Sequence, residues 1–165
     1  MMVPPRYEMI VPFILALSAL VVALLSQYGF GKHPCDLCIT QRIPYGVVLF
    51  AACAGFFVHQ RRNTVVLLWL IIIIAFITTA GIGAYHAMVE LGWVKGPDSC
   101  SAKTAATASL DMMKAQILGA PLVSCANVSV SFLSVSMAGW NAIYAIGCAI
   151  ISSILINKRR IISYE

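Results

Sequence analysis

The chain has 165 residues, 61% of them hydrophobic and only 10% charged. A soluble domain carries roughly 45–50% apolar and about 25% charged residues; a fold of this length could not hide the excess from water. The composition excludes a soluble enzyme, a disordered chain and a small disulfide scaffold. The net charge of +5 is no sign of nucleic acid, because membrane proteins collect Lys and Arg at their cytoplasmic ends. The expectation is an all-α integral membrane protein in the lipid bilayer, with no nucleic-acid partner.

A spanning helix needs about 20 mostly apolar residues. The first candidate runs from about Met9 to Tyr28, broken only by Pro12, Ser18, Ser26 and Gln27. No Ala-x-Ala site closes it and three apolar segments follow, so a retained span is expected rather than a signal peptide. The second span is expected at about 43–58, short enough to borrow from its polar flanks. The third, at about 65–85, contains Leu70 followed by four isoleucines. The fourth is expected at about 137–156. The whole chain, 1–165, then forms one four-helix membrane domain.

Basic clusters at Arg6, at Arg61 and Arg62, and at Lys158, Arg159 and Arg160 fall on one side of such a bundle. That side is expected to be cytoplasmic, with both termini on it. The connections at about 29–42 and 86–136 face the opposite side, where Lys32, Arg42, Lys95, Lys103 and Lys114 are diluted by Asp36, Glu90, Asp98 and Asp111.

The cysteines follow this division. Cys35 and Cys38 lie in the first outer connection and Cys100 and Cys125 in the second, while Cys53 and Cys148 lie within spans. All four connection cysteines are on the face where thiols oxidise. Cys35-Asp-Leu-Cys38 is a C-x-x-C, which serves either redox or metal chemistry. Lys32, His33 and Arg42 nearby favour a thiolate; Asp36 opposes it. The metal alternative is a zinc site completed by Cys100 and Cys125. Those two stand 25 positions apart, poor spacing for a zinc knuckle, so redox chemistry without a metal is expected. The segment at 102–118 reads as a short amphipathic helix: Lys103, Thr107, Asp111 and Lys114 share one face, and Ala106, Leu110, Met113 and Ile117 a neighbouring one. It suits either the bilayer surface or a solvated loop.

These residues carry a resemblance. Pro34 to Pro44 (PCDLCITQRIP), Ala84-Tyr-His86, Gly96 to Cys100 (GPDSC), Ala120 to Cys125 (APLVSC) and Ser136 to Asn141 (SMAGWN) are similar to the DsbB family. Its members are bacterial inner-membrane oxidoreductases that reoxidise the periplasmic thiol oxidase DsbA and reduce quinone. The likeness covers nearly the whole chain. It departs after Cys125, where Asn127, Val130 and Leu133-Ser134 stand in place of an acidic residue, a Trp and a Leu-Gly. The DsbA–DsbB–quinone relay is the standing case of a periplasm kept oxidising kinetically, and that scheme comes with the family rather than from these residues.

The resemblance implies four catalytic cysteines, Cys35, Cys38, Cys100 and Cys125. A DsbA-like partner would attack Cys100–Cys125, and electrons would pass to Cys35–Cys38 and from Cys38 to ubiquinone or menaquinone from the membrane pool. Arg42 would stabilise charge on Cys38 and on the quinone oxygen; otherwise it anchors the helix at the headgroups. His86 would bond the quinone or relay a proton, unless it is merely a satisfied interfacial residue. Gln41 would also reach the quinone. Trp93 and Trp140 suit the aromatic belt, Gly81, Gly83 and Ala84 suit close helix packing, and Cys53 and Cys148 suit inert packing. Two other assignments fit part of the pattern. One is a vitamin K epoxide reductase-like enzyme, although those proteins place the C-x-x-C late in the chain. The other is a metal-binding membrane module without turnover.

Overall fold

A computed structural model of the chain describes residues 8–58, 62–97, 125 and 131–162. Four long helices dominate them: α1 (Ile10–Leu24), α2 (Asp36–Phe57), α3 (Arg62–Glu90) and α4 (Met137–Ile162). All four are long and apolar enough to cross a membrane. α1 continues into a π-helical turn at Leu25–Gly29. A two-stranded hairpin, β1 (Ser131–Phe132) and β2 (Val135–Ser136), leads into α4. The expected amphipathic helix at 102–118, with Cys100, lies outside the described residues.

α3 is the central helix, packed chiefly on α4 and α2, while α1 leans on α2. One seam of α3 faces inward: Val65, Trp69, Ile72, Phe76, Thr79, Gly83 and His86, all buried, and then Glu90, whose side chain is 7% exposed. These positions alternate steps of four and three, the spacing that keeps one stripe of a helix against its neighbours. Opposite it, α4 offers a row of small residues, Ala138, Ala142, Ala145 and Ala149. Small residues let helix backbones approach where no hydrophobic drive separates core from lipid. The approach is tightest at Gly83, where a Cβ would stand 3.2 Å from the Ala138 carbonyl and from Ala142. Gly81 has open space in that direction and Ala84 is exposed. Of the three small residues expected at a helix contact, only Gly83 is therefore in one. The outward faces carry Ile14, Phe50, Phe57, Ile74 and Ile154, all exposed, as a lipid solvent requires.

The helix ends are specified locally. α2 begins at Asp36, because Cys35 adopts extended backbone and its sulfur accepts the Cys38 backbone N–H at 3.4 Å. This is an N-cap made by cysteine, occupying the position that Ser or Asp usually takes. The second helix thus starts ahead of the expected span at 43, and Cys38, Gln41 and Arg42 ride on its first turns. Pro44 lies inside it. Lacking an N–H, it leaves the Thr40 carbonyl without a helical donor. One position further on, the Thr79 hydroxyl donates to the Gln41 carbonyl at 2.8 Å. α3 ends in a Schellman motif: the Gly92 N–H reaches the Val89 carbonyl and the Trp93 N–H the Met88 carbonyl, with Gly92 at φ +73°, the conformation glycine adopts without penalty. Ser136 caps α4 by accepting the Gly139 N–H at 3.1 Å. The hairpin turns at Leu133 and Ser134, both at positive φ, as a two-residue turn requires.

The end of α1, the start of α2, the end of α3 and the start of α4 all meet at one end of the bundle. The site lies there.

Candidate active site

The first turn of α2 places Cys35 and Cys38 together, as an i, i+3 pair must be. Their sulfurs stand 3.1 Å apart as free thiols. From the last turns of α3, His86 reaches across so that its Nε2 lies 3.6 Å from the Cys35 sulfur. Cys125 arrives from the connection before the hairpin. Its sulfur, the Cys35 sulfur and a His86 ring nitrogen all lie within 4.8 Å of one another, and all three residues are buried. Cys125 is disulfide-bonded. A buried apolar cluster of Cys35, Leu37, Val89 and Cys125 closes around them.

This setting holds the Cys35 thiol far below the usual thiol range, to about 4. The first cause is the hydrogen bond from the Cys38 thiol; His86 and the Cys38 backbone N–H add to it against the cost of burial. The N-terminus of α2 adds its dipole. The cations nearest in sequence, Lys32, His33 and Arg42, are not among the causes. They line the neighbouring cavity instead. The side chain set against the Cys35 sulfur is instead His86, 51 positions away in sequence.

His86 is held on both sides. Its Nδ1 receives the Gln41 side-chain amide at 2.8 Å. Its Nε2 lies 3.7 Å from a Glu90 carboxylate oxygen, one helical turn on. The other Glu90 oxygen is buried with no partner. Asn141 donates to the Gln41 oxygen at 2.7 Å, and Tyr45 donates to Asn141 at 2.8 Å. Glu90, Tyr45 and Asn141 are site residues that sequence reasoning passed over. Glu90 and Tyr45 signalled themselves only by polarity on otherwise apolar helices, and Asn141 also by its place at the end of the SMAGWN segment.

Beside the cysteines opens a cavity of about 360 Å³, within the range of small-molecule sites. Cys35, Cys38, Gln41, Arg42, His86 and Glu90 line one part of it, and Ser18, Leu20, Trp140 and Tyr144 another. Trp140 thus belongs to the cavity wall as well as to the outer surface, whereas Trp93 is simply exposed. Arg42 donates to the Gln27 side-chain oxygen at 2.7 Å and to the Ala23 carbonyl at 3.4 Å. Its guanidinium is therefore fixed against α1 where the helix changes to π geometry, a feature common at functional sites. Cys53 is exposed on the outer face of α2 and Cys148 is buried, both as free thiols away from the cluster.

The donor set suits electron transfer through sulfur better than a metal. Cys125 has no thiolate to give while it is bonded. Gln41 Nε2 can only donate, so Nδ1 of His86 accepts and the ring proton stands on Nε2, the nitrogen facing the sulfurs. The cavity combines apolar walls with a cation, a histidine and a buried carboxylate, a lining suited to a flat apolar ligand that carries polar oxygens.

Known proteins bear on the cysteine cluster. The family model for disulfide bond formation protein DsbB matches residues 5–155. The chain is 31% identical over 153 residues to disulfide bond formation protein B of Mannheimia succiniciproducens, covering 84% of this chain and 82% of that protein. It is 30% identical over 153 residues to the protein of the same name from Saccharophagus degradans, covering 89% and 90%. It is also 26% identical over 140 residues to an uncharacterized protein of Rickettsia prowazekii, covering 82% and 80%. Four membrane-length helices, the cysteine cluster and a match across nearly the whole chain lead to one assignment: the chain belongs to the DsbB family, as a multi-pass membrane protein of disulfide bond formation.

Proposed function

We propose that the protein oxidises a periplasmic DsbA-like dithiol partner and delivers the electrons to a membrane quinone, ubiquinone or menaquinone, as a protein-disulfide:quinone oxidoreductase. The observation that carries this is the meeting of Cys35, Cys38 and a disulfide-bonded Cys125 in one buried cluster, with Cys35 and Cys38 on the wall of the cavity. In this reading Cys100 is the partner of Cys125, the pairing that the family resemblance implies. The protein lies in the bacterial inner membrane with both termini cytoplasmic and this site at the periplasmic face.

The exchange balances as follows. The partner's thiolate attacks Cys100, forming a mixed disulfide and releasing Cys125 as thiolate. Cys125 attacks Cys35 of an oxidised Cys35–Cys38 pair; a Cys35–Cys125 bond forms and Cys38 leaves as thiolate. The partner's second thiol resolves its mixed disulfide and frees Cys100. Cys100 then attacks Cys125, restoring Cys100–Cys125 and releasing Cys35. The partner has lost two electrons and the Cys35/Cys38 pair has gained them. A low thiol pKa favours each departure of Cys35, since the better-stabilised thiolate leaves faster. It also stabilises the reduced pair, which makes the Cys35–Cys38 disulfide more oxidising.

A bound quinone supplies the acceptor for those two electrons. Cys38 faces the cavity that would hold it, Arg42 presents its fixed cation there, and His86 and Glu90 supply proton-handling groups. Gln41 also lines the cavity, with its amide already engaged by Asn141 and His86.

Mixing reduced partner with a short-chain quinone should give loss of quinone absorbance only when both pairs are intact. Cys38→Ser should abolish it, and a Cys100/Cys125 double Ser variant should lose partner oxidation. Partner oxidation at the normal rate by that double variant would overturn the relay.

A further inference from the structure

Four side chains from three helices form a continuous chain of hydrogen bonds that ends at Cys35. Tyr45 O–H donates to Asn141 Oδ1 (2.8 Å), Asn141 Nδ2 to Gln41 Oε1 (2.7 Å), and Gln41 Nε2 to His86 Nδ1 (2.8 Å). Every donor points the same way. With Nδ1 accepting, neutral His86 carries its proton on Nε2, which faces the Cys35 sulfur at 3.6 Å. Aligned hydrogen bonds polarise one another at low dielectric, and this alignment presents its positive end to the sulfur.

The surroundings of His86 settle the direction. Two acceptors face Nε2 at the reactive end: the Cys35 sulfur at 3.6 Å and a Glu90 carboxylate oxygen at 3.7 Å. Reversing both amides would move the proton to Nδ1 and aim an Nε2 lone pair at both. Gln41 and Tyr45 are themselves buried, and Thr79 secures the Gln41 backbone. The network is therefore built into the helix packing.

We propose that Tyr45, Asn141 and Gln41 are positioning residues that fix the Nε2–H tautomer of His86, so that His86 donates to Cys35 and keeps it a ready attacking and leaving group. This rests on the thiol exchange proposed above. It adds residues that touch neither sulfur and act on Cys35 only through the imidazole.

The test reads the tautomer directly. The chain holds three histidines, so the full-length, reduced protein labelled with ¹⁵N-histidine in detergent micelles gives few ring signals, and His86→Gln assigns those of His86. The wild type should show Nδ1 unprotonated and Nε2 protonated. Asn141→Leu removes the donor that orients Gln41, and Gln41→Met removes the donor to Nδ1. In each, the His86 signals should move toward a mixture of tautomers. The Cys35 thiol pKa, read from its alkylation rate against pH, should rise by about one unit or more, as expected for weakening a hydrogen bond to an ion. A wild-type Nδ1–H tautomer overturns the proposal. So does an unchanged tautomer and Cys35 pKa in either variant that folds. Because the wild-type measurement needs no variant, misfolding cannot leave the question open. Failure of quinone reduction with the predicted tautomer would remove the proposed function alone, and normal turnover with the wrong tautomer would remove this inference alone.

Discussion

At the residue scale, Cys35 does two jobs with one sulfur. It caps α2 and it forms the stabilised thiolate. Its folded pKa lies below the unfolded value of about 8.5. The stabilisation of the reduced protein is therefore fully present above that unfolded value, and is lost as pH falls through the folded value near 4. Between these limits, reducing the Cys35–Cys38 disulfide takes up one proton fewer than for an ordinary dithiol. The reduction potential should fall with rising pH by about 30 mV per unit rather than about 59 mV. Equilibration of the pair with a dithiol buffer across pH 5–8 measures this slope, and the full 59 mV slope would show that Cys35 is an ordinary thiol. Arg42 makes a second prediction. Arg42→Met keeps the stem and removes the fixed cation, so apparent quinone affinity should fall roughly 10- to 150-fold, the loss of one charged hydrogen bond of about 1.5–3 kcal/mol. Arg42→Lys should recover part, because it restores charge without the planar fork. Steady-state quinone titrations compare the two. Equal affinity in the wild type and Arg42→Met would make Arg42 a tie to Gln27 and α1 only.

At the element scale, α3 explains why some of the fold was legible and some was not. Leu70 to Ile74 marks a spanning helix at sight, but core-facing and lipid-facing positions are equally apolar there. Pattern alone could not single out the seam through Trp69, Ile72, Phe76 and Gly83. The same blindness let Gly81 and Ala84 pass as contact residues. The start of α2 was hidden differently, because Cys35 is not a residue expected to cap a helix and Pro44 suits either the beginning of a helix or a kink inside one. Gly83 and Gly81 now make a matched pair. Gly83→Ala would set a Cβ 3.2 Å from Ala138 and Ala142, and should cost about 1–3 kcal/mol by overpacking. Gly81→Ala meets open space and should be neutral, or stabilise by up to about 1 kcal/mol through helix propensity. Thermal unfolding in detergent orders the two variants; equal stability would contradict the packing of α3 on α4.

At the scale of the whole molecule, the four helices bring residues far apart in sequence to one end of the bundle, and cysteine spacing alone pointed to the chemistry but not to the meeting. Cys35 and Cys125 were legible as members of separate pairs; that their sulfurs share one cluster with His86 follows from helix ends that spacing does not encode. The central claim is that the two pairs exchange through a Cys35–Cys125 bond. Cys38→Ser isolates it, because Cys35 then has no nearby thiol to re-form its own disulfide. In the oxidised variant, kept anaerobic and without partner, the Cys35 thiolate can displace Cys100 from Cys125 with no net oxidation, so acid quenching and non-reducing peptide mapping should find a share of Cys35 linked to Cys125 with Cys100 as the free thiol. Finding Cys125 joined only to Cys100, and Cys35 always free, would contradict the account.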